Sequence, residues 1–302
     1  MFQQSGSFRL FRIAGITVYL HSLWFVVAIF EISSRNRYYS SISWNIAEYL
    51  GLFLIVLLHE FGHALACRQV GGTADRILLW PLGGVAYVSP PARPGATLWS
   101  IAAGPLVNVV VAGILFAVPY VEPSLLSTPG DARMFLRNIT IVNWMLLLFN
   151  LLPVYPLDGG QILRSLLWFV FGRARSLSIT AWIGFVGVIA LFAIALKVQS
   201  TWLGVVALYM LFRCWKGLQA ARALGKLESL PRRPDFACPS CSESPQVGNF
   251  WKCKCGMRFD TFATQATCPQ CGTQYPKTTC FNCQTQHPMS EWKRLSAASS
   301  SA

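Results

Sequence analysis

The pentapeptide His59-Glu60-Phe61-Gly62-His63 lies inside the apolar stretch 46–66, and that pairing restricts the chain more than any other feature. Residues four apart share a helix face, so a helix here presents His59 and His63 to one metal ion with Glu60 beside them. Ionisable side chains in so apolar a segment are costly unless something binds them, and a metal ion would do so. The stretch is also long enough to cross a bilayer. Several further apolar runs of that length follow in a chain of 302 residues that is 54% hydrophobic and only 12% charged. The expected fold is an all-α polytopic membrane protein of about six transmembrane helices with a re-entrant β-hairpin, plus a small cytosolic, β-rich tail.

The formal charge of +13 would suggest nucleic acid in a soluble protein. Here Lys and Arg concentrate in loops and after the last apolar run, where they act as topology signals and contacts to anionic lipid. In chain order, the basic flank Phe8-Arg9-Leu10-Phe11-Arg12 precedes a first span at 13–32. His21 interrupts it as a residue hydrogen-bonded between helices or, less simply, one that supports a site. A loop at 33–43 with Arg35 and Arg37 leads to the second span, 46–66. The segment 71–91 is too short to span, and its strand-like pieces flank Pro81-Leu82-Gly83-Gly84, a strong turn signal. It reads as a hairpin dipping beside the histidines, or else as an interfacial loop.

The third span, 98–120, contains Ala103-Gly104-Pro105-Leu106-Val107-Asn108, in which a buried Asn108 needs a partner in the bundle or a ligand. A polar loop with Asp131, Arg133 and Arg137 precedes the fourth span, 139–154. That span runs into Pro153-Val154-Tyr155-Pro156-Leu157-Asp158-Gly159-Gly160. Two prolines and a glycine pair can hold Asp158 in a fixed position, as a third metal ligand or as the cap of an interfacial helix at 161–171. Spans at 179–196 and 201–215 complete six.

Six spans leave both termini on one side, and the richer set of basic loops makes that side cytoplasmic. The localisation expected is a cell inner membrane, multi-pass. This topology also brings His59, His63 and Asp158 to one depth. Two imidazoles and a carboxylate leave an open fourth position, as in catalytic rather than structural zinc sites. With Glu60 as the general acid/base, the implied chemistry is metal-assisted peptide hydrolysis.

His59-Glu-Phe-Gly-His63, Pro81-Leu-Gly-Gly-Val-Ala86, Ala103-Gly-Pro-Leu-Val-Asn108 and Asn150-Leu-Leu-Pro-Val-Tyr-Pro-Leu-Asp-Gly-Gly160 together resemble the site-2 protease family of intramembrane zinc metalloproteases. The likeness extends over about residues 10–220. It implies that His59, His63 and Asp158 bind zinc, that Glu60 is catalytic, and that the substrates are transmembrane proteins cut in regulated intramembrane proteolysis. It further implies that Asn108 and Asn150 help hold the substrate and that Gly83 and Gly84 pair with its unwound strand. The other classes compatible with the motifs are a catalytically silent membrane scaffold, which would have no need of Glu60, and a zinc transporter, which would need ligands across the bilayer.

The tail departs from that pattern. Cys238, Cys241, Cys253, Cys255, Cys268, Cys271, Cys280 and Cys283 occur as four close pairs, the spacing of zinc knuckles. Neighbouring pairs are expected to share a zinc: the first four cysteines hold one ion and the last four another. The zinc complement is thus one catalytic and two structural ions. The organisation expected is a protease domain at 1–219, a linker at 220–236, tandem ribbons at 237–295 and a disordered end at 296–302. A cytosolic protein is the ribbons' expected partner. Nucleic acid is not, because the thiolates offset much of the tail's positive charge.

Overall fold

The computed structural model describes residues 6–34, 39–80, 83–123, 130–283 and 285–292. Arg35, Arg37, Pro81, Leu82 and the segment 296–302 fall outside them. The chain divides into two compact units, residues 1–90 with 94–218, and residues 91–93 with 219–302.

The first unit begins with a sheet where the sequence predicts a span. β1 (Ser7–Ile13) and β2 (Ile16–His21) form an antiparallel hairpin. Ala14 and Gly15, at φ 49° and 75°, form its two-residue turn. Alternation explains the correction: Ile16, Val18 and Leu20 are buried while Thr17, Tyr19 and His21 are not, a period of two that a span does not need. The helix that follows, α1 (Leu23–Ser34), has 12 residues, about 18 Å of rise against a hydrocarbon core of about 30 Å. His21 accordingly sits on a strand rather than between helices, its ring 4.9 Å from that of Trp80.

After α2 (Ile42–Gln69), β3 (Thr73–Trp80) and β4 (Gly83–Ser89) form the hairpin expected from the turn signal. β2 pairs in parallel with β3, so one four-stranded sheet runs in the order β1-β2-β3-β4, with β4 at an edge. Its apolar face, Ile16, Val18, Ile77 and Leu79, packs on Val56, Leu57, Ala64 and Cys67 of α2. This seats the histidine-bearing turns of α2 against the sheet.

The other helices are α3 (Pro94–Val121), α4 (Asp131–Leu151), α5 (Asp158–Phe171), α6 (Arg173–Lys197) and α7 (Thr201–Glu228). Among the described residues, α2, α3, α4 and α6 are long and apolar enough to cross a membrane. The polar loop expected around Asp131, Arg133 and Arg137 is instead the start of α4. There Asp131 accepts from the Ser40 N–H at 3.2 Å and suits the helix's positive end. Residues 220–228, expected as linker, continue α7.

The second unit carries two minimal hairpins, β5 (Trp251–Lys252) with β6 (Arg258–Phe259) and β7 (Thr278–Thr279) with β8 (Gln286–His287). They precede a single turn, α8 (Met289–Trp292). Its core mixes thiols with aromatics, with Cys238, Cys280, Phe262 and Trp292 buried together.

Candidate active site and metal centres

One turn separates His59 from His63 on α2, and both are buried. Their Nε2 atoms lie 3.1 Å apart. Asp158, in the first turn of α5, brings its Oδ2 to 3.0 Å from His59 Nε2 and 3.3 Å from His63 Nε2. The remaining ring nitrogens are committed. His59 Nδ1–H donates to Asn108 Oδ1 at 2.5 Å, and His63 Nδ1–H donates to the Ser100 carbonyl at 2.9 Å. Each imidazole is thereby fixed as the tautomer whose Nε2 carries a lone pair. Three electron-rich atoms then face one another across about 3 Å, an arrangement that a cation relieves. Ligands about 2.0–2.1 Å from a tetrahedral zinc sit about 3.3 Å apart, so the donor set fits that ion.

Close approach of α3 makes room for the rings. A Cβ on Gly104 would run into the His63 imidazole and stand 2.9 Å from His59 Nε2. Behind His59, Asn108 is fully buried and shares two hydrogen bonds with Asn143 of α4. Its Nδ2 donates to Asn143 Oδ1 at 2.8 Å, and Asn143 Nδ2 returns a bond to the Asn108 carbonyl at 3.0 Å. Asn143 belongs to no motif read from the sequence. A buried amide within the apolar run 139–149 was the available signal.

Glu60 is buried and faces the edge strand, its Oε2 accepting from the Ala86 N–H at 2.7 Å. Gly84 lies so close that a Cβ there would overlap the carboxylate, while Gly83 opens β4 at φ 132°. Asn150 is half-buried in the last turn of α4. The chain therefore brings His59, His63, Asp158, Glu60, Asn108 and Gly84 together.

The eight tail cysteines also gather, but not as neighbours. Cys238, Cys241, Cys280 and Cys283 form one cluster, and Cys253, Cys255, Cys268 and Cys271 the other. The second is nested within the first, which corrects the sequential assignment. Loop closure is a weak guide because doubling a loop costs only about 0.6 kcal/mol. Packing of Phe236, Phe262 and Trp292 around the outer thiols decides instead. Sγ separations of 3.6 and 3.8 Å in the outer cluster and 3.4 and 3.7 Å in the inner one match the roughly 3.8 Å edge of a tetrahedron with zinc–sulfur bonds of about 2.3 Å. In the inner cluster the Tyr275 hydroxyl donates to Cys253 Sγ at 3.1 Å and holds that thiol down to about 6. His287 belongs to neither cluster, and bonds to Ser240 and Glu291 instead.

Comparison with known proteins places this geometry among relatives. Residues 47–126 and 126–194 match the model of peptidase family M50. A zinc metalloprotease of Methanocaldococcus jannaschii is 37% identical over 181 residues, covering 59% of this chain and 50% of the relative. Stage IV sporulation protein FB of Bacillus subtilis is 32% identical over 158 residues, 50% of this chain and 52% of that one. The chain thus spans about half the length of these curated relatives. Among solved structures, the site-2 protease from Methanocaldococcus jannaschii superposes with a TM-score of 0.51 at 29% identity, covering 70% of this chain and 95% of that chain.

Proposed function

Because the chain belongs to peptidase family M50 through residues 47–194, we propose that it is an intramembrane zinc metalloprotease that hydrolyses peptide bonds within or near transmembrane segments of membrane-protein substrates. The observation that carries this reading is the convergence of two Nε2 atoms and a carboxylate oxygen within 3.3 Å, with Glu60 set between that cluster and an open sheet edge.

His59, His63 and Asp158 would hold the zinc, which when bound supplies Lewis-acid polarisation of a carbonyl and acidifies water. Glu60 takes a proton from the attacking water and returns it to the leaving amine. Its bond from Ala86 N–H aims the carboxylate along the outer edge of β4. A peptide bond inside a helix is shielded, so the substrate must be extended before attack. Strand addition beside Gly83 and Gly84 would extend it next to Glu60. Asn150, in the last turn of α4, would help hold the same strand. Asn108 acts one step back: its amide is spent on His59 and Asn143, so it orients the metal ligand.

The two tail clusters would hold two structural zinc ions, with a cytosolic protein as the module's partner. The protein would reside in a cell inner membrane with both termini cytoplasmic. The test is cleavage of a panel of single-span membrane proteins by the purified chain, compared with Glu60→Gln, with zinc counted in both. General acid–base catalysis of this kind contributes about 10²–10⁴-fold, so the variant should keep its zinc and lose at least that much rate. Equal cleavage by the variant would overturn the mechanism.

A further inference from the structure

His59 and His63 share one rigid helix, whereas Asp158 reaches them from a separate element that follows an irregular loop. A ligand set holds a metal only when its members stay within about 0.5 Å of the right geometry, so something must fix that loop. It is folded on itself, with the Leu157 N–H donating to the Val154 carbonyl at 2.9 Å and Gln161 Nε2 donating to the Pro156 carbonyl at 3.3 Å. α5 packs back on the same loop, so closely that a Cβ on Gly160 would overlap the backbone of Val154 and Tyr155. A shift of residues 154–155 is therefore passed to the first turn of α5, where Asp158 stands.

Two further helices grip those two residues. On α6, a Cβ at Gly187 would stand 2.6 Å from Val154 Cγ2, and one at Gly184 would stand 2.8 Å from the Tyr155 carbonyl oxygen. On α7, a Cβ at Gly217 would stand 2.8 Å from Tyr155 Cε1. Cys214, fully buried and one turn from Gly217 on the same face, donates its Sγ–H to the Tyr155 carbonyl at 2.9 Å. Where α6 and α7 meet this loop they carry glycine or one small donor, and Tyr155 fills the notch they leave. Gly204 of α7 gives the contrast, because a Cβ there meets nothing within 4 Å.

We propose that Tyr155 is a positioning residue for the metal centre, seated in a slot made by Gly184, Cys214 and Gly217, so that α6 and α7 set where Asp158 stands relative to His59 and His63. This rests on the metal-site reading above. The test titrates the full-length protein with a competing chelator and counts zinc per chain; the equivalent that His59→Ala loses marks the membrane-unit site. Gly217→Ala should weaken that site by about 10–100-fold, the effect of losing a group that orients a ligand, while the tail keeps its zinc. Gly204→Ala should change nothing. Tyr155→Val alone should also weaken the site, yet added to Gly217→Ala it removes the ring carbons that the new methyl meets and should recover most of the loss. Compensation of that kind marks a direct contact, whereas a general loss of packing adds. If Gly217→Ala melts early, Cys214 serves in its place: Cys214→Ser, which keeps a donor, should bind zinc about two- to tenfold more tightly than Cys214→Ala, the scale of one hydrogen bond. Full affinity in folded Gly217→Ala, additive losses in the double variant, or equal affinity in the two Cys214 variants would overturn the assignment. Zinc unchanged by His59→Ala would instead overturn the metal-site reading itself.

Discussion

Asn143 makes no contact with the proposed metal, but it fixes which way Asn108 turns its amide. Asn108 in turn presents oxygen, not nitrogen, to His59 Nδ1. An inverted amide would oppose the N–H that keeps Nε2 free for metal. Replacing Asn143 by Leu is therefore expected to weaken zinc binding by about 10–100-fold, the usual effect of losing a group that orients a ligand. Competitive chelator titration of the purified protein would measure it. Unchanged affinity would show that Asn108 holds its orientation unaided. Gly104→Val should act more severely, because even its Cβ meets both imidazoles, and zinc should be absent from the membrane-unit site while the tail retains its share. At this scale the convergence of the proposed ligands was legible, since H-E-x-x-H and L-D-G-G carry their chemistry in their spacing. The supports were not, because Ser100 contributes a backbone carbonyl and Ala86 a backbone N–H, which no side-chain pattern encodes.

At the scale of elements, periodicity outranks apolar content. Apolar content across 13–32 suggested a span, although Ile16-Thr-Val-Tyr-Leu-His21 alternates and Ala14-Gly15 turns; the pairing of β2 with β3 is non-local and becomes visible only in the fold. The cysteine module teaches the same lesson about connectivity, and it can be tested. With Cys238 and Cys283 in one cluster, the double variant Cys238→Ser, Cys283→Ser should lose a single equivalent of zinc. Sequential sites would lose two. Asp260 lies in sequence between Cys255 and Cys268, the two halves of the inner cluster. Burial works to raise its carboxyl, but the Arg233 guanidinium at 2.8 Å and the N–H groups of Gly248 and Phe262 outweigh burial and hold it below the ordinary carboxylate range. A depressed folded value stabilises above the unfolded one and is lost as pH falls through the folded one. At pH 7 that contribution is complete, and Asp260→Asn should lower the module's melting temperature there. An unchanged melt would assign the tie no role in stability.

For the whole molecule, sidedness is the property that links the site to its substrates. His59 and His63 lie in the C-terminal half of α2, and Asp158 follows the end of α4 by seven positions. Two spanning helices can deliver their C-terminal ends to one metal only if they cross in the same direction, with α3 returning between them. The sheet and its β4 edge then share that membrane face, because β3 leaves directly from α2. Arg9, Arg12, Arg68, Arg76, Arg164, Arg173 and Arg175 cluster in the segments on this side, whereas Arg133, Arg137 and Lys197 lie at the opposite ends. Basic loops stay cytoplasmic, so the active site should open toward the cytoplasm. Crossing by α7, which carries Arg213 and Lys216, would return the tail to that face, where reducing conditions keep eight thiols available for metal. A C-terminal green fluorescent protein fusion should therefore fluoresce in bacterial cells, and an alkaline phosphatase fusion at the same position should be inactive. The same phosphatase inserted after Gly130, between α3 and α4, should be active. An active C-terminal phosphatase would place the tail outside, and α7 would then have to be an interfacial helix with the catalytic face unchanged.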